Sequence, residues 1–209
     1  LTSIESVTTI NDSSGNPALE VKHIYGPSPI STDNLFEVTI TITNIAGYKI
    51  DDVRYNRSMD WDIPPSEFNE VVSAKGVSAS VATGKYPRVL MSGNNGFMRP
   101  NPFNSAGSHN RGRGTGDFER YGPRDHGFTA TFGFGELLCG ENHNFLSYYG
   151  AAKDRPTLEA ALEAESIPLY SIGESNPSYS SPVSYAWGFK GVSGTALAPT
   201  LPSKTAIIP

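Results

Sequence analysis

The densest group of chemistry-bearing side chains is the run Asp51-Asp52-Val53-Arg54-Tyr55-Asn56-Arg57-Ser58-Met59-Asp60-Trp61-Asp62. On an extended strand, Asp60 and Asp62 share one face and Trp61 takes the other. Two carboxylates about 7 Å apart on one face can hold a calcium ion once a loop adds carbonyl oxygens. The competing expectation is that Arg54 or Arg57 holds them through guanidinium–carboxylate hydrogen bonds that fix strand register. Acid–base work on a glycoside needs carboxyl groups facing one another across a cleft. Asp60, Asp62 and Glu136 are the groups a hydrolase would draw on.

A second candidate site lies in residues 92–125. Seven glycines, three prolines and five asparagines fall in these 34 residues. They read as a long loop insertion, and structureless loops of this length inside a domain are often functional. Sugar sites combine aromatic platforms with planar polar groups, which Trp61, Phe97, Asn101, Phe103, Asn104 and Tyr121 could supply. Other chemistries find no motif. His23, His109, His126 and His143 show neither HxH nor HExxH spacing and read as surface or turn residues. There is no GxSxG elbow. The strings Gly93-Asn94-Asn95-Gly96, Gly112-Arg113-Gly114 and Gly133-Phe134-Gly135 carry no P-loop lysine. Four basic residues from Arg111 to Arg124 do not make a nucleic-acid surface on a chain of net charge −5. No catalytic residues are assigned.

The elements that must position these residues are mostly strands. Phe36, Val38, Ile40 and Ile42 alternate with polar residues over Asn34 to Asn44, which predicts a half-buried antiparallel strand with those four facing inward. Ala18 to Tyr25 precedes it, with Leu19, Val21 and Ile24 as core candidates, and Ile50 to Trp61 follows it. Phe68 to Ser73, Val77 to Val81 and Val89 to Ser92 are short further strands. In Gly127 to Phe134 the residues Phe128, Ala130, Phe132 and Phe134 share one side, with Phe132 and Trp187 as expected neighbours of the core. Asn144 to Tyr149, Ile167 to Ile172 and Val183 to Phe189 complete the set. One short helix is predicted near 156–165: Asp154 caps it, Pro156 suits its first turn, and Leu158 and Leu162 stack one turn apart. The pattern is all-β, an antiparallel β-sandwich of jelly-roll or immunoglobulin-like kind in a single domain over 1–209.

Composition agrees. Glycine (21) and proline (16) together make about 18% of the 209 residues, against about 12% on average. No run approaches the roughly 20 apolar residues of a transmembrane helix, so no membrane insertion is expected. Cys139 stands alone, which excludes an internal disulfide. Asn11 and Asn56 open glycosylation sequons. Leu1 at the start fits a mature chain that has lost a signal peptide. Ser3 to Ile10 alternates weakly, and 198–209 is an extended tail ending in Ile207-Ile208-Pro209. Either could add as a strand to the sheet edge of another subunit, giving a homo-oligomer or filament.

Two stretches carry a resemblance. Val53 to Asn69, VRYNRSMDWDIPPSEFN, resembles a segment of secreted bacterial surface proteins, including PEP-type exported proteins. Phe132 to Gly150, FGFGELLCGENHNFLSYYG, resembles the edge of extracellular CARDB-like β-sandwich modules, with Cys139 where those modules usually have proline. Together they span about a third of the chain. The resemblance implies export and a β-sandwich fold and brings no catalytic residues. The reading is thus a secreted or cell-surface β-sandwich with a structural or adhesive role. A carbohydrate- or calcium-binding module using the 92–125 loop is the first alternative, and a glycoside or ester hydrolase is the second.

Overall fold

The computed structural model describes residues 3–96, 101–103, 113–179 and 183–197. Eleven strands and two helices follow one another as β1 (Ile4–Asn11), β2 (Pro17–Pro27), β3 (Leu35–Asn44), β4 (Ile50–Asp60), β5 (Glu70–Lys75), α1 (Val77–Ala82), β6 (Arg88–Gly93), β7 (Phe118–Arg124), β8 (Gly127–Leu137), β9 (Asn142–Ala152), α2 (Arg155–Ala164), β10 (Leu169–Glu174) and β11 (Ser184–Lys190). They form an all-β sandwich of two antiparallel sheets. The large sheet runs β1-β2-β3-β9-β11-β10-β5-β7 and the small one β4-β8-β6.

The alternation explains the layers. Val38, Ile40 and Ile42 of β3 meet Phe128, Ala130, Phe132 and Phe134 of β8, together with Phe145, Trp187 and Phe189, in one buried cluster between the sheets. The aromatic rings pack at offset and edge-on angles: Phe132 lies 4.8 Å from Phe189, and Phe128 stands at 90° to Trp187. On the opposite face of the large sheet α2 covers the middle strands β9 and β11. Leu158, Ala161 and Leu162 of that helix press on Leu35, Tyr148 and Ala186. Gly188 makes room for Ile167, just past the helix, because a β-carbon there would run into it. Asp154 caps α2 by accepting the backbone N–H of Thr157 at 2.9 Å.

Four local expectations are corrected. Val77 to Val81 is helix α1, not a strand. Its two valines are also one helical turn apart, and Gly76 enters the helix with φ +80. Residues 92–125 are not one loop, because β6 continues to Gly93 and β7 occupies 118–124, paired with β5. Phe36 shares parity with Val38 but is 51% exposed, because the small sheet does not reach over that end of β3. For a similar reason Ile24, on the outer face of β2 beyond α2, is exposed. The tail 198–209 lies outside the described residues. Among the described residues no helix is long and apolar enough to cross a membrane.

Candidate functional site

The acidic run divides by strand parity. On β4, Val53, Tyr55, Arg57 and Met59 point into the sandwich, and their neighbours point away from it. Arg54 lies outside and grips Asp52 through two nitrogens, its Nη2 at 2.6 Å from Oδ2. Arg57 lies inside. Its Nη1 donates to the Tyr55 hydroxyl at 3.2 Å, its Nη2 donates to the Tyr149 hydroxyl, and its guanidinium stands 5.8 Å from the Trp187 ring. The arginines therefore hold Asp52 and two tyrosines, where the sequence suggested Asp60 and Asp62. Those two carboxylates do not share a strand face: β4 ends at Asp60, which is half-buried, and Asp62 is exposed beyond it. Among the described residues no group of three or more His, Cys, Asp or Glu side chains is placed to hold a metal ion.

The sugar-platform residues are spread apart. Trp61 is in the core, with its indole N–H on Ser171 Oγ at 3.2 Å and both faces enclosed. Tyr121 belongs to β7, where it packs beside His126 at 5.1 Å beneath Arg113. Asn101 is exposed and its Oδ1 accepts the N–H of Phe103. Phe103 is 59% exposed and stacks on Arg54 at 4.5 Å, near the opposite side of the molecule from β7. Phe97 and Asn104 lie outside the described residues. The amide of Asn56 donates to Thr131 Oγ1 at 2.8 Å and to the Ala130 carbonyl, so this sequon side chain is engaged in the small sheet.

The histidines are not surface residues as a class. His126 is fully buried, with Nδ1 2.8 Å from the Asn94 amide nitrogen. Burial, and then the charge of Arg124, hold its pKa down to about 4, so it is neutral at pH 7. Its backbone N–H donates to the buried Glu70 carboxylate, whose own pKa is pushed up by burial despite that bond. His23, half-buried on β2, shares a hydrogen bond with Tyr55 at 2.9 Å. Burial and the nearby Arg57 lower its pKa, so it too is neutral at pH 7. The inward position of Arg57 could have been found by extending the period-2 rule from Val53 and Tyr55. The burial of His126 carries no local signal.

The structure brings one cleft to this region. The inner faces of β1 and β2 extend past β4, the edge of the small sheet. Between the overhang and that edge lies a cavity of about 440 Å³, floored by Ile10, Leu19, Val21 and Ile42 and rimmed by Phe103. The His23–Tyr55 pair lies within its lining. No family model, curated protein or solved structure matches the chain.

Proposed function

We propose that the protein is a structural or adhesive β-sandwich of the cell surface or extracellular space, and that copies join through β1. The observation that carries this reading is the state of that edge strand. Every residue of β1 is exposed, Ile4, Val7 and Ile10 included, on an edge of the eight-stranded sheet that has no neighbouring strand among the described residues. Natural edge strands are guarded by lysine, proline, bulges or inward charges. β1 has no lysine, arginine or proline, and its pairing with β2 is irregular only at Ile10/Asn11. Its single charge, Glu5, lies 3.5 Å from Lys22 of the same sheet.

The sequence of β1 is also self-complementary. Antiparallel pairing of two copies about Val7 sets Ile4 against Ile10, Ser6 against Thr8 and Glu5 against Thr9. Like residues face like residues, and the two carboxylates stay apart. An isologous contact of this kind closes at a dimer. It differs from the open filament that a terminal tail would build. The hairpin is held in shape for the task. Asp12 Oδ1 accepts the N–H groups of Ser14 and Asn16, and its Oδ2 accepts the Tyr48 hydroxyl at 2.9 Å, fastening the β1–β2 turn to the β3–β4 turn. The resemblance of Val53–Asn69 and Phe132–Gly150 to exported surface proteins supports the extracellular placement.

The test is native mass spectrometry and sedimentation across a hundredfold range of concentration. A dimer that Val7→Lys converts to a folded monomer is the expected result. A chain that is monomeric throughout, or a dimer indifferent to both Val7→Lys and Val7→Pro, overturns the reading.

A further inference from the structure

The cleft beside β4 has a feature that a small-molecule pocket does not need. Its lining includes five consecutive residues, 52–56, together with the floor. Side chains of both parities line one cavity only when the edge of the strand, with its main chain, faces that cavity. β4 is an edge of the small sheet, so its outward N–H and C=O groups have no strand partner among the described residues. Below this edge lie Leu19, Val21 and Ile42. These apolar side chains come from β2 and β3, whose register pairs Val21 with Ile42. They lie where the next strand of the small sheet would place its inward side chains, since strands repeat at about 4.8 Å and stacked sheets at about 10 Å.

We propose that this cleft is a peptide groove in which an extended segment of a partner protein, uncharged and apolar at alternate positions, adds to β4 as a fourth strand of the small sheet. Main-chain hydrogen bonds to β4 would supply affinity, and the floor would select the side chains. Charge complementarity sets the chemistry of the guest. On the rim Arg54 is neutralised by Asp52, to which it is hydrogen-bonded, and the floor carries no ionised side chain. His23 is held neutral by burial and by Arg57. Burying a charged guest residue here would leave it unpaired. The His23–Tyr55 pair can exchange a hydrogen bond with a serine, threonine or amide side chain at one position. Five residues of β4 correspond to about 17 Å of strand, so the guest spans about five residues. The inference is independent of pairing through β1, because Val7 lies on the face of that strand opposite to Thr8 and Ile10.

The experiment uses a fluorescently labelled, end-blocked Ser-Val-Ser-Val-Ser-Val-Ser peptide, titrated with the intact protein and followed by anisotropy. Two controls accompany it: the same peptide N-methylated at alternate residues, and the variant Thr8→Arg, which sets a long cation over the floor from an exposed position. Expected are saturable binding, slowed amide exchange within residues 52–56, at least tenfold weaker binding by Thr8→Arg at unchanged melting temperature, and loss of binding on N-methylation. No saturable binding overturns the proposal. So does equal binding of the N-methylated peptide, which would mark an apolar pocket indifferent to the β4 main chain. Because Val7→Lys leaves the groove intact, its peptide affinity separates failure of this proposal from failure of the β1 reading.

Discussion

The two ends of the large sheet differ in how their edges are treated. At one end β7 is twisted and charged. Arg120 has φ 43, Gly122 has φ 138, Pro123 removes a donor, and the register with β5 shifts twice. Arg155 of α2 ties Glu119 of β7 to Glu174 of β10, at 2.6 and 3.0 Å. Behind this edge sit the buried Glu70 and His126. At the other end β1 is exposed along its whole length, β2 is only half-covered, through Leu19, Val21 and Tyr25 on its inner face, and β1 carries one charge. Both ends belong to one continuous sheet, so the contrast does not come from fold class. It comes from residue choice: one edge is closed to pairing by its side chains and backbone, and the other is left able to pair.

Four measurements test this contrast. The largest effect belongs to the closed middle. Ile40→Ala, at a site 1% exposed, should cost about 2–5 kcal/mol by denaturant unfolding. Leu19→Ala, on the half-covered overhang, should cost only about 1 kcal/mol. Equal losses would mean that the overhang is covered in solution. Second, Arg155→Ala should destabilise by about 3 kcal/mol, since it removes the ties to Glu119 and Glu159 and one of the two arginines on the nearly buried Glu174, which keeps only Arg120. A change below about 0.5 kcal/mol would mean that this edge is not held by the network.

Third is the acid response. The folded pKa of His126 is near 4 and its unfolded value near 6.5, so the unfolded chain binds the extra proton in between. The stability that His126 contributes is therefore fully present above about pH 6.5 and lost as the pH falls to 4. The loss reaches about 3 kcal/mol at 1.36 kcal/mol per pH unit. His126→Gln should flatten that part of the stability–pH curve; an unchanged curve places the acid response elsewhere. The smallest effect is on the monomer: Val7→Lys should shift its unfolding free energy by less than about 0.5 kcal/mol, however large its effect on association.

Much of the architecture was legible in local pattern. The alternations in β3 and β8, the cap at Asp154 and the Leu158/Leu162 pair led to the right elements because each signal lies within one segment. What was missed depends on where a distant element ends. Phe36 obeys its period and is still exposed, because the extent of the opposing sheet is not written in β3. Val77 and Val81 fit both periods, and the left-handed turn at Gly76 that starts the helix, pressed against Pro168, depends on a segment about ninety residues away. The cleft was illegible for the same reason: its floor comes from β1, β2 and β3 and its edge from β4, and only the unequal widths of the sheets create it. The notion of a sugar platform gathered Trp61, Phe103 and Tyr121 by type, and the fold separates them.

The position of the two tryptophans decides what a simple optical experiment on this molecule would see. Trp61 and Trp187 both lie in the inter-sheet layer, 6% and 0% exposed, and neither belongs to the β1–β2 hairpin. Their emission is a reporter for the closed half alone. If the hairpin opens at lower denaturant than the rest, as sparsely covered segments do, the indole signal will stay flat through that first event. Tyr25 on β2 and Tyr48, clasped to Asp12, would register it. An earlier transition in tyrosine difference absorbance than in tryptophan emission would mark the hairpin as a cooperative unit of its own.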